Sequence, residues 1–190
     1  MKKAIIIHGW EGNPNNCWFP WLKKELMKND FEVIIPKMPN SDEPEINSWV
    51  GFLKEKTGKV DGETYFIGHS IGCQAIMRYL ETLPEKTKIG GVVFVAGFFN
   101  LPFLKTEEEK EIAKPWLNIK INTDKIKMLT ENIVAIFSDN DLDVPMSDSN
   151  LFKERLNAKI IVEHDKGHFS DDADVKELPA ALNEILKMGE

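Results

Sequence analysis

Short apolar runs recur along the chain at residues 4–7, 31–35, 64–67, 91–95, 133–137 and 159–162, rich in Ile, Val and Phe. They are continuous rather than alternating, the pattern of strands buried on both faces of a parallel sheet. Between them, apolar residues return at helical spacing over 18–28, 46–57, 70–82, 147–156 and 177–187. In the last of these, Leu178, Ala181, Leu182, Ile185 and Leu186 follow the stripe of an amphipathic helix. Asp30, Asp61-Gly62 and Pro84 fall at the joints, where turn and breaker residues belong. Strand–helix alternation of this kind predicts an α/β chain: a three-layer α/β/α sandwich with about six mostly parallel strands.

One stretch breaks the rhythm. Residues 98–127 open with the apolar cluster Phe98, Phe99, Leu101, Phe103 and Leu104, continue with charged residues 105–111, and reach Pro115-Trp116. That is too long for a plain connection, and long insertions are often lids or binding loops. The expectation is that Phe98, Phe99, Phe103 and Trp116 form part of a substrate pocket. The blander reading is a surface helix that packs down. No repeat or linker divides the chain, so residues 1–190 are expected to form one domain.

The sharpest local signal is Gly68-His69-Ser70-Ile71-Gly72, directly after the run at 64–67 and directly before a helical run. G-x-S-x-G has meaning in that setting, because the chain must turn sharply from strand to helix with the serine at the apex. The turn strains the serine backbone, and small residues two before and two after it keep strand and helix apart. The helix N-terminus then offers free N–H groups and a positive dipole end to the reaction centre.

A serine nucleophile needs a base and an orienting acid, in the chain order Ser, Asp, His for this arrangement. The fifth strand runs into Ser138-Asp139-Asn140-Asp141-Leu142-Asp143-Val144-Pro145, and the sixth into Glu163-His164-Asp165-Lys166-Gly167-His168-Phe169. Both segments lie past the carboxyl ends of parallel strands, the edge at which open α/β sheets bind ligands. His168 is preferred to His164 as the base: the turn through Gly167 carries it over the sheet edge, whereas the pleat fixes His164 at the strand end. The oxyanion donors are expected to be the backbone N–H groups of Ile71 and Trp10, the latter in the glycine-flanked loop His8-Gly9-Trp10-Glu11-Gly12.

Length and composition narrow the partners. A chain of 190 residues with 42% apolar and 29% charged residues can build a real core. The net charge of −7 shows no basic run or stripe, which argues against nucleic acid. The apolar run near Met1 stops after four residues, short of the roughly 7–15 of a signal segment. No segment approaches a membrane span, so no membrane partner is expected. Cys17 and Cys73 form no CxxC pair or disulfide framework, and a reducing cytoplasm fits best.

These residues resemble the α/β-hydrolase superfamily and, within it, the small serine-hydrolase branch of retinoblastoma-binding protein nine and YdeN-like proteins. The resemblance is carried by His8-Gly9-Trp10 with Trp18, Pro20 and Leu22, by Gly68-His69-Ser70-Ile71-Gly72, by Ser138-Asp139-Asn140-Asp141 with Val144-Pro145, and by Gly167-His168-Phe169. It implies a compact fold with a short insertion after the fourth strand, no cofactor, and esterase-like activity. It puts Ser70, Asp141 and His168 on the triad positions. Leu142 departs from the pattern, since many relatives carry proline after the acid.

Other chemistries fit less well. Asp139, Asp141 and Asp143 open like a calcium loop, but the sixth position is Val144 and the twelfth Asn150, which rejects it. The four histidines make neither HExxH nor a zinc spacing, so no metal is expected, and no glycine-rich nucleotide motif occurs. Cys73 reads as packing, and Asp171, Asp172 and Asp174 as a solvated approach to the last helix. The expected function is hydrolysis of an ester in a small acyl substrate through an acyl-serine, with amide or thioester bonds open to the same machinery. The alternative is a binding or regulatory protein on a hydrolase scaffold. No segment visibly encodes a protein partner.

Overall fold

The computed structural model describes residues 1–190. The strands are β1 (Lys2–Ile7), β2 (Phe31–Ile34), β3 (Thr64–His69), β4 (Gly91–Val95), β5 (Ile133–Ser138) and β6 (Lys159–Glu163). They form one sheet in the order β2-β1-β3-β4-β5-β6, every neighbouring pair parallel. The helices are α1 (Phe19–Lys28), α2 (Ile46–Thr57), α3 (Ile71–Leu80), α4 (Glu107–Asn118), α5 (Thr123–Leu129), α6 (Ser147–Leu156) and α7 (Pro179–Met188).

The pleat sorts each strand into two cores. Ile5, Ile7, Phe66, Val92, Phe94, Ala135 and Phe137 meet Trp49 and Leu53 of α2, the apolar face of α3, Trp116 of α4, and Phe152 and Leu156 of α6. The alternate residues Ala4, Ile6, Tyr65, Ile67, Val93, Val95, Val134 and Ile136 meet Phe19, Leu22 and Leu26 of α1, and Ala181 and Ile185 of α7. Both sheet faces are therefore covered, and the unbroken apolar runs in the sequence follow from that. Each large aliphatic side chain so buried is worth roughly 1.5–3 kcal/mol.

The chain leaves β1 toward β2 and leaves β3 toward β4, in opposite directions across the sheet. The loops at the carboxyl ends of these adjacent strands diverge, and a crevice opens there, the usual ligand site of an open α/β sheet.

Residues 98–127 contain two helices and an irregular lead-in. Asp148, fully buried at the start of α6, accepts hydrogen bonds from the backbone N–H of Asn100 (2.9 Å) and from its side-chain amide (2.8 Å). Gln74 of α3 donates to the Phe98 carbonyl at 2.7 Å. Thr106 and Glu109 form a capping box that starts α4. At the other end, Arg78 of α3 donates to the carbonyls of Trp116 (2.8 Å) and Ile119 (2.9 Å), placing a cation where the helix dipole is negative. Both ends are fastened to the body. Between them the lead-in (Leu101, Phe103, Leu104, Lys105 and Thr106) and the first turns of α4 (Glu108, Glu109 and Ile112) face the crevice.

Candidate active site

Ser70 stands between β3 and α3 with φ 52° and ψ −122°, a sparsely populated region for a non-glycine residue. Its neighbours enforce the turn. A Cβ on Gly72 would lie 2.5 Å from the Ile7 carbonyl oxygen and 2.6 Å from that of His8, and one on Gly68 would lie 2.8 Å from the backbone of Cys73. Backbone cannot step aside as a flexible side chain can, so larger residues would prise α3 off the sheet. The Ser70 N–H donates to the Val95 carbonyl at 2.9 Å and seats the turn on β4.

The segments that follow β5 and β6 are laced together. His168 Nδ1 donates to Asp141 Oδ2 at 2.9 Å. An ionised carboxylate only accepts, so Nδ1 carries a proton, and in the neutral ring the lone pair is then on Nε2. The side chain of Asp141 is 2% exposed and that of His168 17%. The other Asp141 oxygen accepts from the N–H groups of Asp143 (2.8 Å) and Val144 (3.0 Å), so the carboxylate is fixed by its own loop. The Leu142 side chain, between Asp141 and Asp143, projects into solvent. Asn140 accepts from Gly167 N–H at 2.7 Å, and Ser138 Oγ from Lys166 N–H at 3.0 Å. Phe169 is fully buried in the α1–α7 core and anchors the segment after the histidine.

His164 makes a second, separate pair. Its Nδ1 meets Asp139 Oδ2 at 2.6 Å, its side chain is 81% exposed, and it does not line the crevice. Hydrogen bonding to Asp139 raises its pKa and lowers that of the carboxyl. The cluster Asp139, His164 and Asp165 and the cluster Asp141, Asp143 and His168 each bring ligand-type atoms within 4.8 Å of one another. In both, histidine and backbone N–H groups already occupy carboxylate oxygens.

On the opposite wall, His8 is fully buried. Its Nε2 accepts from Met38 N–H at 3.0 Å, so its proton sits on Nδ1, which donates to the Gly9 carbonyl at 2.8 Å. Gly12 N–H donates to the same carbonyl at 3.1 Å. With its oxygen held twice, the Gly9–Trp10 peptide cannot rotate, and a trans peptide directs the Trp10 N–H the other way. Burial lowers the pKa of His8 and keeps the ring neutral. The Ile71 N–H belongs to the first turn of α3, whose donors have no partner within the helix.

Gly9, Trp10, Ser70, Ile71 and His168 line one cavity of about 690 Å³. Of the four expected pocket residues, Phe98 and Phe103 line it, and Phe99 and Trp116 do not. Phe99 turns away against Phe152 and under Arg155. Trp116 is buried on the inner face of α4 against Trp49, and its Nε1–H donates to the Pro44 carbonyl at 2.8 Å. Spacing alone could not tell an inward tryptophan from a pocket wall. Cys73 is buried, its thiol pKa pushed up by burial, and its Sγ donates to the Val95 carbonyl. Asp171 does more than solvate a loop: it accepts from Asn16 Nδ2 (2.6 Å), Cys17 N–H (3.0 Å) and Lys176 Nζ (2.6 Å), joining the loops after β1 and β6.

The sequence did not single out His69, which occupies an unspecified place in G-x-S-x-G. It is 6% exposed, and its Nε2 donates to the His168 carbonyl at 2.7 Å. Burial, reinforced by His168 nearby, pushes its pKa down to about 3.

Comparison with known proteins places the fold in a family. A family model described as serine hydrolase matches residues 4–187. YdeN of Bacillus subtilis (strain 168) is 32% identical over 179 residues, covering 94% of this chain and 91% of its own. Serine hydrolase RBBP9 of Rattus norvegicus is 27% identical over 172 residues, 89% of this chain and 88% of its own. The crystal structure of the ydeN gene product from B. subtilis matches with a TM-score of 0.91 at 30% identity, over 99% and 98% of the two chains. Est1E from Butyrivibrio proteoclasticus, solved with ferulic acid bound, shares the fold with a TM-score of 0.71 at 17% identity, over 98% and 87%. With a parallel sheet, a serine at the β3–α3 turn and a family match along almost its whole length, this chain belongs to the serine hydrolase family of the α/β-hydrolase superfamily.

Proposed function

We propose that the protein hydrolyses carboxylic esters of small, uncharged acyl groups through an acyl-enzyme on Ser70. His168 Nε2 takes the Ser70 proton as Oγ attacks the acyl carbon, and the resulting oxyanion accepts from the N–H groups of Ile71 and Trp10. The imidazolium of His168, paired with Asp141, then gives its proton to the departing alkoxide as the C–O bond breaks. Water repeats the sequence on the acyl-serine, releasing the acid and regenerating Oγ–H. Amide and thioester substrates would use the same groups.

The observation that carries this reading is the hydrogen bond from His168 Nδ1 to the enclosed Asp141 carboxylate, which selects the tautomer with a basic Nε2 in the cavity that Ser70 lines. A binding scaffold has no need of that pair. A panel of p-nitrophenyl esters of rising acyl length tests it. Turnover is expected with the wild type and none with Ser70→Ala. A folded wild-type protein that cleaves no member of the panel and takes up no fluorophosphonate would overturn it.

A further inference from the structure

His168 sits in a turn with left-handed backbone on both sides, φ 51° at Gly167 and 53° at Phe169. No strand ladder or helix holds it, so its position depends on individual contacts. The acid segment supplies contacts up to the ring: Ser138 to Lys166, Asn140 to Gly167 and Asp141 to Nδ1. From the nucleophile's side, the His168 carbonyl is held by His69, the residue immediately before Ser70, at 2.7 Å.

Resting on the roles given above to Ser70, His168 and Asp141, we propose that His69 is a positioning residue for the general base. It is a neutral donor on the nucleophile's own strand that holds the base segment at a fixed distance from the elbow.

The surroundings of His69 suit that task. Its backbone lies opposite Val95 in the β3–β4 register, so it moves with the sheet. Its ring is seated edge-on between Trp18 (centroids 6.1 Å, 84°) and Phe19 (6.0 Å, 63°) and faces the His168 ring at 5.1 Å. Behind it, Gly9 approaches so closely that a Cβ there would lie 3.0 Å from His69 Nδ1. The ring cannot swing out of register. A carbonyl oxygen only accepts, so the proton must be on Nε2. The donor must also be uncharged. His168 becomes an imidazolium in each half of the proposed reaction, and a second cation at the 5.1 Å ring separation would oppose it. A buried neutral histidine supplies the hydrogen bond without that penalty, and lysine or arginine would not.

The test compares His69→Phe, which keeps a ring and removes the donor, with His69→Gln, whose neutral amide reaches to the Nε2 position. His69→Phe is expected to lose roughly 10–100-fold in kcat with KM little changed, since misplacement of a reacting group by about 1 Å costs on that order. His69→Gln is expected to recover most of it. Wild-type kcat in a folded His69→Phe protein, or equal losses in both folded variants, would overturn the proposal. A long-range ¹H–¹⁵N imidazole spectrum of the wild-type protein at neutral pH needs no variant. It is expected to show His69 neutral and protonated on Nε2, and an Nδ1–H or imidazolium signal would overturn the proposal. Ser70→Ala and His168→Ala, assayed alongside, separate the two levels. If both are inactive while His69→Phe is fully active, the positioning role alone fails. If Ser70→Ala is active, the underlying reaction fails with it.

Discussion

Ser70 holds a strained backbone, and Asp141 holds a carboxylate almost out of water; each conformation is kept by neighbours that leave it no alternative. The two aspartate–histidine pairs after β5 and β6 differ in this respect. Asp141 and His168 are enclosed, and His168 lines the same cavity as Ser70, whereas Asp139 and His164 face solvent, where such pairs contribute little. Asp141→Asn is therefore expected to lower kcat by orders of magnitude, approaching the roughly 10⁴-fold of a histidine held in the wrong tautomer. Asp139→Asn and His164→Ala should stay near wild type in ester turnover, and His168→Ala should abolish it. A larger loss in Asp139→Asn than in Asp141→Asn would reassign the acid. The buried histidines also set a pH dependence. His8 and His69 are kept neutral in the folded protein, with pKa values below the ordinary 6.5, that of His69 at about 3. Below pH 6.5 the unfolded chain binds protons that the folded one excludes, so this part of the stability is whole above 6.5 and is lost as pH falls toward 3. Denaturation midpoints are expected to drop between pH 7 and pH 4.5, and to drop less in His69→Gln; identical slopes in the two proteins would contradict the burial argument.

At the scale of elements, strands and their connecting helices were legible from the chain because the apolar runs of the inner strands serve two buried faces and helices such as α1 and α7 turn one apolar stripe to the sheet. The elbow was legible as well, since its glycines answer steric demands that G-x-S-x-G encodes directly. The stretch 98–127 was legible only as an interruption. Its fold depends on long-range polar contacts from Asp148, Gln74 and Arg78, residues whose local surroundings carry no sign of what they hold. For the same reason Phe99 and Trp116 were expected at the pocket and are found in packing, and His69 went unnoticed. Phe103 and Trp116 should therefore behave differently. Phe103→Ala, at an exposed position on the cavity wall, is expected to change the acyl-length profile at unchanged stability. Trp116→Ala should cost about 3–5 kcal/mol of stability, the usual range for emptying so large a buried site. A stable Trp116→Ala protein with an altered profile would return that side chain to the pocket.

Over the whole molecule, charge is distributed unevenly around the crevice. Its lining includes eight carboxylate residues, among them Glu11, Asp42, Glu108 and Asp143, and a single lysine, Lys105. No helix of the chain is long and apolar enough to cross a membrane. A cavity walled by one sign of charge repels ligands of that sign, and the effect weakens as salt screens it. An anionic hemisuccinyl ester is expected to show a lower kcat/KM than a butyryl ester at low ionic strength, with the gap narrowing as salt is added; a gap indifferent to salt would remove the electrostatic account. The central claim is that Ser70 is the nucleophile, and one measurement addresses it without any choice of substrate. The protein is treated with a fluorophosphonate, digested, and the modified residue located by mass spectrometry. One adduct per chain is expected, on Ser70, abolished in folded Ser70→Ala and strongly slowed in His168→Ala. Stoichiometric labelling of another residue, or of Ser70→Ala itself, would contradict the claim.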